Sequence, residues 1–211
     1  MRWFTADTHF GHANILAFEL NRPWDDTHQM NLGLVERLTA PLSGDDELWH
    51  LGDVALGYLN ATLPFLAMLG VPVTLVAGNH DRVHPYHGER AERFIEIYRT
   101  KCQLAELVLT NTRLTLANGT EVQISHFPYP NPAIAGNEDH HGHVAVDKFT
   151  PWRPVDDGGW LLCGHVHGSW RQRGRQINVG VDAWGGQPVA EDTLIELIKH
   201  GPADADPLIW A

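Results

Sequence analysis

Three apolar runs in the first half of the chain, RWFTAD, ELWHLGD and VPVTLVAGNHD, each end in acid, imidazole or amide side chains. Each reads as a strand, and helix-like segments around Asp26–Leu38, Leu59–Leu69 and Glu89–Lys101 separate them. That βαβα rhythm predicts an α/β fold, in which sites are built in the crevice at the carboxyl ends of the strands. The second half changes character. LVLTNTRLTLANGTEVQIS alternates with period two, and its Asn118-Gly119 predicts a hairpin with a type I′ turn. WLLCG and QINVGVDAW add two strands, and EDTLIELIKH has the acidic start and basic end of a helix.

A chain of 211 residues fits one domain, residues 1–211, able to bury about 70% of the surface its unfolded form exposes. One segment departs from the rhythm: residues 128–158 hold five prolines and a Glu138-Asp139-His140-His141-Gly142-His143 cluster without periodicity. A loop of that length serves either as a lid over a site or as a solvated excursion, and its histidines suit wet surface better than a metal. No run approaches the length of a membrane helix, and no secretory leader opens the chain, so a cytoplasmic protein is expected. Cys102 and Cys163 stand far apart and outside any CxxC pair, which indicates reduced thiols rather than a disulfide framework or cysteine metal site.

The net charge of −11 argues against a binder of long nucleic acid, whose affinity comes from Lys and Arg neutralising phosphates. Fourteen histidines point weakly to metal chemistry. The strand ends carry that pointer further. They deliver Asp7 and His9, then Asp53, then Asn79, His80 and Asp81, then His126, and finally His165 and His167 in LLCGHVHGSW. In an extended segment residues i and i+2 share a side, so His165 and His167 are expected to face one polar site. Taken alone, each piece also reads as a turn, a helix cap or a pair of solvent-facing imidazoles. Even with His80 and Asp81 set aside, seven metal-capable ligands on five strand ends are too many for one tetrahedral site and imply two ions.

In joint order, DxH, GD, GNHD, a lone His and GHxH resemble the calcineurin-like metallophosphoesterase superfamily, over residues 7–167. DTHFGHANI and RPVDDGGWLLCGHVHGSW are similar to its compact prokaryotic and phage branch. The resemblance implies a four-layer αββα sandwich with a dinuclear site at the strand ends. It places Asp7, His9 and His167 on one ion, Asn79, His126 and His165 on the other, and Asp53 between both. Mn²⁺, Fe²⁺ and Zn²⁺ all suit such ligands. The implied activity is hydrolysis of a phosphate ester through a metal-bridging hydroxide, with His80 as acid or charge stabiliser and Asp81 orienting it. The expected substrate is a small phosphodiester or nucleotide.

Two other readings belong to the superfamily: a hydrolase removing phosphopantetheine from acyl carrier protein, and a non-catalytic binding scaffold. The acidic balance does not help an acidic carrier dock, and every ligand of the catalytic pattern is retained. His12 and Asn14 follow on the first loop, His12 being the favoured substrate contact. Lys148, Arg153 and Arg82 read as surface ion-pair members, Asp182 as a turn residue and Trp184 as a core aromatic.

Overall fold

The computed structural model describes residues 1–130 and 147–210. Its strands are β1 (Arg2–Thr5), β2 (Glu47–His50), β3 (Val73–Val76), β4 (Glu106–Val108), β5 (Thr112–Thr115), β6 (Glu121–Ile124), β7 (Trp160–Cys163), β8 (Gln172–Gly174), β9 (Gln176–Asn178), β10 (Val189–Ala190) and β11 (Ala203–Ala205). The helices are α1 (Ile15–Phe18), α2 (Thr27–Thr39), α3 (Leu59–Thr62), α4 (Pro64–Ala67), α5 (Ile95–Cys102) and α6 (Glu191–His200). One sheet has the order β10-β1-β2-β3-β4, the other β11-β8-β9-β7-β6-β5. This is the two-sheet α/β architecture the sequence predicts.

Alternation along each strand sorts the core. Trp3, Leu48, Val73 and Leu75 turn toward Met30, Leu34 and Leu38 of α2, Leu66 of α4 and Tyr98 of α5. Their neighbours Phe4, Trp49 and Val76 turn the other way and meet Val122, Ile124, Leu162 and Ile177 of the second sheet. Leu194 of α6 packs into that inter-sheet cluster. On the far face of the second sheet, Leu161 and Cys163 pack with Tyr129 and Trp170. Each such side chain contributes about 1.5–3 kcal/mol by leaving water.

Local chemistry sets the element ends. The Asp26 side chain accepts from Gln29 N at 2.8 Å and caps α2. Pro64 lacks an N–H and opens α4, so the expected helix over residues 59–69 is two short ones. The segment expected over residues 89–101 begins within a 3-10 stretch, Pro85–Phe94, that kinks at Gly88, and becomes regular only in α5. The β5–β6 hairpin forms with a different turn from the one predicted. Gly119 alone has a positive φ, whereas a type I′ turn needs two such residues. Leu116 pairs with Thr120 around a three-residue loop instead. The cluster at His140, His141 and His143 lies outside the described residues, as does the middle of the proline-rich loop.

Strands β1 to β4 are parallel neighbours, as are β6, β7 and β9. Each sheet therefore presents its carboxyl ends along one edge, and a bridge between Ala6 and Gly180 joins the two edges. No described helix is long and apolar enough to cross a membrane.

Candidate metal centre

Every one of the expected ligands lies just past a strand end, and five of the seven sit on backbone that most side chains avoid. Among the described residues, six non-glycine residues have left-handed φ, and five of them are Asp7, His9, Asp53, His165 and His167. Such conformations cost free energy and persist only where surrounding contacts fix them. Here Asp7 N donates to Gly52 O at 2.9 Å and His9 N to Asp53 O at 3.0 Å, which locks the first two crests together. Gly52 and Gly78 allow the close approach, because a Cβ on Gly78 would collide with Asp53 Oδ1. His165 and His167 do share a site, but strand alternation is not the cause. β7 ends at Cys163, and the two residues line one space from left-handed backbone beyond it.

The side chains link into one cluster. Ligand atoms of Asp7, His9 and His167 lie within 4.8 Å of one another, as do those of Asp7, Asp53 and His126. Asn79 Oδ1 lies 3.1 Å from His126 Nε2 and 2.9 Å from His165 Nδ1. Asp53 Oδ2 stands 3.6 Å from His9 Nε2 and 3.5 Å from His126 Nε2, between the two groups. His126 Nδ1 faces Leu51 O at 2.7 Å and His167 Nδ1 faces Asp182 at 2.9 Å, so each ring points its Nε2 inward.

The donor set fits divalent cations. Asp7 Oδ1 and His9 Nε2 are buried without a hydrogen-bond partner, which an ion between them would satisfy. Charge in the cluster is finely divided. Burial opposes ionisation of Asp53, yet the imidazoles of His126, His9 and His80 outweigh it and hold its carboxyl well below the usual range. Burial also works against charge on His126, but Asp53 prevails and pushes it up to about 9. His165 goes the other way, down to about 3, through burial and then the charge of His126. Cations entering here would displace protons from these rings.

In a third set of potential ligands, Glu19, His167 and Asp182, the Asp182 carboxylate is already paired with an arginine. Both oxygens of Asp182 accept from the Arg22 guanidinium at 2.8 Å.

His80 stands at the mouth with its side chain 43% exposed, Nε2 at 4.0 Å from Asp53 Oδ2. Its backbone N donates to Asp53 Oδ1 at 2.8 Å, so the expected bridging residue also fixes the His80 loop. The expectation that Asp81 orients His80 is not met. Asp81 accepts instead from the N–H groups of Gly78, Asp53 and Val54 at 2.8, 2.8 and 3.1 Å, and from Tyr98 Oη at 3.4 Å. These four donors claim its oxygens. Burial and the Asp53 charge push its pKa up to about 7, against those N–H groups. His12 lies beside the mouth, Nδ1 at 3.3 Å from His9 Nδ1, whereas Asn14 makes no side-chain cap at α1.

Two spaces adjoin the cluster. One of about 840 Å³ opens on His165 and His167 and is lined also by Tyr129, Trp170, Arg153 and Arg173. The other, about 190 Å³, lies beside Asn79, His80, Arg82 and His87.

A family model for calcineurin-like phosphoesterases matches residues 2–169. The chain belongs to that family. Phosphate-ester hydrolysis with divalent metals is the family's general chemistry, and the cluster supplies residues for it. This calcineurin-like phosphoesterase is 32% identical to the Gene 66 protein of Mycobacterium phage L5, with 94% of each chain covered. It is 35% identical to the Gene 66 protein of Mycobacterium phage D29 over 86% of this chain and 88% of the phage protein. An uncharacterised protein of Methanocaldococcus jannaschii, MJ1445, is 24% identical over 94% of this chain and 92% of its own. Among solved structures, the protein of unknown function AQ665 from Aquifex aeolicus shares the fold. Its TM-score is 0.66 at 21% identity, covering 93% of this chain and 98% of that one.

Several residues around the cluster of this phosphoesterase carry little or no signal in the sequence. Asp182, expected in a turn, lies directly behind His167, and Arg22 in NRPW showed no motif at all. His87 Nε2 contacts Asn79 O at 3.0 Å. Arg153 pairs with Asp147, as a surface cation would, yet lines the larger space. Trp184 is half-buried and donates to Asn178 O at 2.7 Å.

Proposed function

We propose that this calcineurin-like phosphoesterase hydrolyses a small phosphodiester or nucleotide-type ester on two divalent ions. Asp7, His9 and His167 would hold one ion, Asn79, His126 and His165 the other, with Asp53 shared. Bound there, the ions would lower the pKa of water at the centre and polarise the phosphate. The observation that carries the substrate class is the space of about 840 Å³ opening on His165 and His167, a volume suited to an organic substituent. A phosphate at the cluster would leave its ester group in that space, beside the guanidinium groups of Arg153 and Arg173. The net charge of −11 keeps long nucleic acid away.

His80, held through its backbone by Asp53, would protonate the leaving oxygen from the mouth, and His12 beside it would contact the substrate. Cys102 and Cys163 are buried free thiols, which supports work in a reducing compartment, the cytoplasm.

The test is turnover of bis-aryl and alkyl aryl phosphodiesters, phosphomonoesters and duplex DNA by Mn²⁺-loaded protein, beside His80→Ala. Diesters should be cleaved and DNA should not bind tightly. His80→Ala should keep its metal while kcat falls about 10²–10⁴-fold, more for alkyl than for aryl leaving groups. Exclusive monoester turnover would overturn the substrate class, and loss of metal from His80→Ala would overturn its role.

A further inference from the structure

We propose that Arg22 and Asp182 are positioning residues for one ion only, the one assigned to Asp7, His9 and His167, and act on it through His167. The inference rests on the two-ion reading above. Its basis is a complete set of contacts. Asp182 Oδ2 lies 2.9 Å from His167 Nδ1, which fixes the proton on that nitrogen and turns Nε2 toward Asp7 and His9. Behind the carboxylate, Arg22 uses all five of its N–H donors. Nε and Nη2 grip the two oxygens of Asp182 at 2.8 Å each. Nη2 also donates to Asp7 O at 2.7 Å, and Nη1 donates to Thr8 O at 3.1 Å and to Met30 Sδ at 3.5 Å.

One guanidinium therefore ties the loop after β1 in the first sheet to the carboxylate after β9 in the second. Asp7 and His167 reach the cluster from opposite sheets, and this fork sets their separation. A lysine ammonium could not span four acceptors in one plane. Stability alone is a poor explanation for the arrangement, because a buried ion pair gains little over apolar side chains of similar volume.

The other imidazoles lack this backing. His126 Nδ1 faces a carbonyl, Leu51 O, and His165 Nδ1 faces Asn79 Oδ1 within the cluster itself. A carboxylate behind the ring makes an imidazole a stronger and better-aimed ligand, so the two ions should respond differently to its loss.

The experiment is calorimetric titration of metal-stripped, full-length protein with Mn²⁺, comparing wild type, Asp182→Asn, His167→Ala and the double variant, with metal-free thermal unfolding alongside. Asp182→Asn should weaken one ion about 10–100-fold and leave the other as in wild type. In the His167→Ala background the same substitution should add nothing, because the ring through which it acts is gone. Should Asp182→Asn fail to fold, Arg22→Lys keeps the charge without the fork and should weaken the same ion. Equal weakening of both ions, unchanged affinities, or a full further loss in the His167→Ala background would overturn the proposal. If wild type takes a single ion, the two-ion reading falls, while the His167 cycle on that ion still decides this one.

Discussion

Asp81 and Asp182 are both buried carboxylates beside the centre, and neither is one of its seven expected ligands. Asp81 is satisfied by three backbone N–H groups and a tyrosine hydroxyl, with no cationic side chain among the described residues paired to it. Asp182 is satisfied by a guanidinium and an imidazole. The first arrangement fixes backbone: it pins the Asp53 crest to the Asn79 crest. The second fixes side chains: it aims one ring. Their acidities differ accordingly. Burial and the neighbouring Asp53 push Asp81 up to about 7, whereas Asp182, also opposed by burial, is brought below its usual value by Arg22 and His167. A dry carboxylate with a partner cation stays ionised, and one held by dipoles alone is drawn toward its proton.

Removing the cation is the hardest way to break the comparison. Arg22→Met leaves Asp182 buried with its fork gone and should cost about 3–5 kcal/mol in denaturant unfolding. Adding Asp182→Leu should recover part of that loss, since replacing both members of a buried pair is far cheaper than removing one. Failure of the second change to help would show that Asp182 is not charged. Asp81→Asn should cost less, about 1–3 kcal/mol, because its amide oxygen still accepts while the NH₂ group faces backbone donors.

The pH dependence of the metal-free protein sharpens the contrast, with opposite signs for the two groups. A pKa raised in the folded state means that the folded chain holds the proton more tightly. The Asp81 contribution is therefore full below 3.8 and is lost as pH rises toward about 7. Asp182 is depressed, so its contribution is present above 3.8 and lost as pH falls below that value. Stability curves of Asp81→Asn and Asp182→Asn, each subtracted from wild type, should slope in opposite directions, and parallel slopes would refute the contrast.

The smallest expected effect concerns strain. Gln103 at the end of α5 has φ 52°, the sixth left-handed non-glycine residue and the one outside the site. Gln103→Gly should stabilise the fold by up to about 1 kcal/mol, left-handed relief set against glycine entropy. Thermal unfolding checks it without touching the centre.

Much of this was legible in the chain itself. The strands ending in Asp7, Asp53 and Asn79 follow from hydrophobic runs, and α6 from its charged ends, because local pattern and tertiary context agree there. The motif residues that the structure gathers into one cluster were visible in the sequence order, but their geometry was not. Period-two alternation brought His165 and His167 together for a reason the structure replaces with left-handed backbone, which no residue type announces at a histidine. Asp81 was visible as part of GNHD yet pointed the wrong way, since a motif names neighbours in sequence and not the N–H groups of Gly78, Asp53 and Val54. Arg22 and Asp182, 160 residues apart, could be joined only by the fold.

The number of divalent ions per chain tests the central claim most directly. Metal-stripped protein reloaded with Mn²⁺ and freed of excess should carry two ions, and Asp53→Asn should weaken both, because one carboxylate is shared. A wild type that takes one ion or none, or an Asp53→Asn variant that loses only one, would contradict the account.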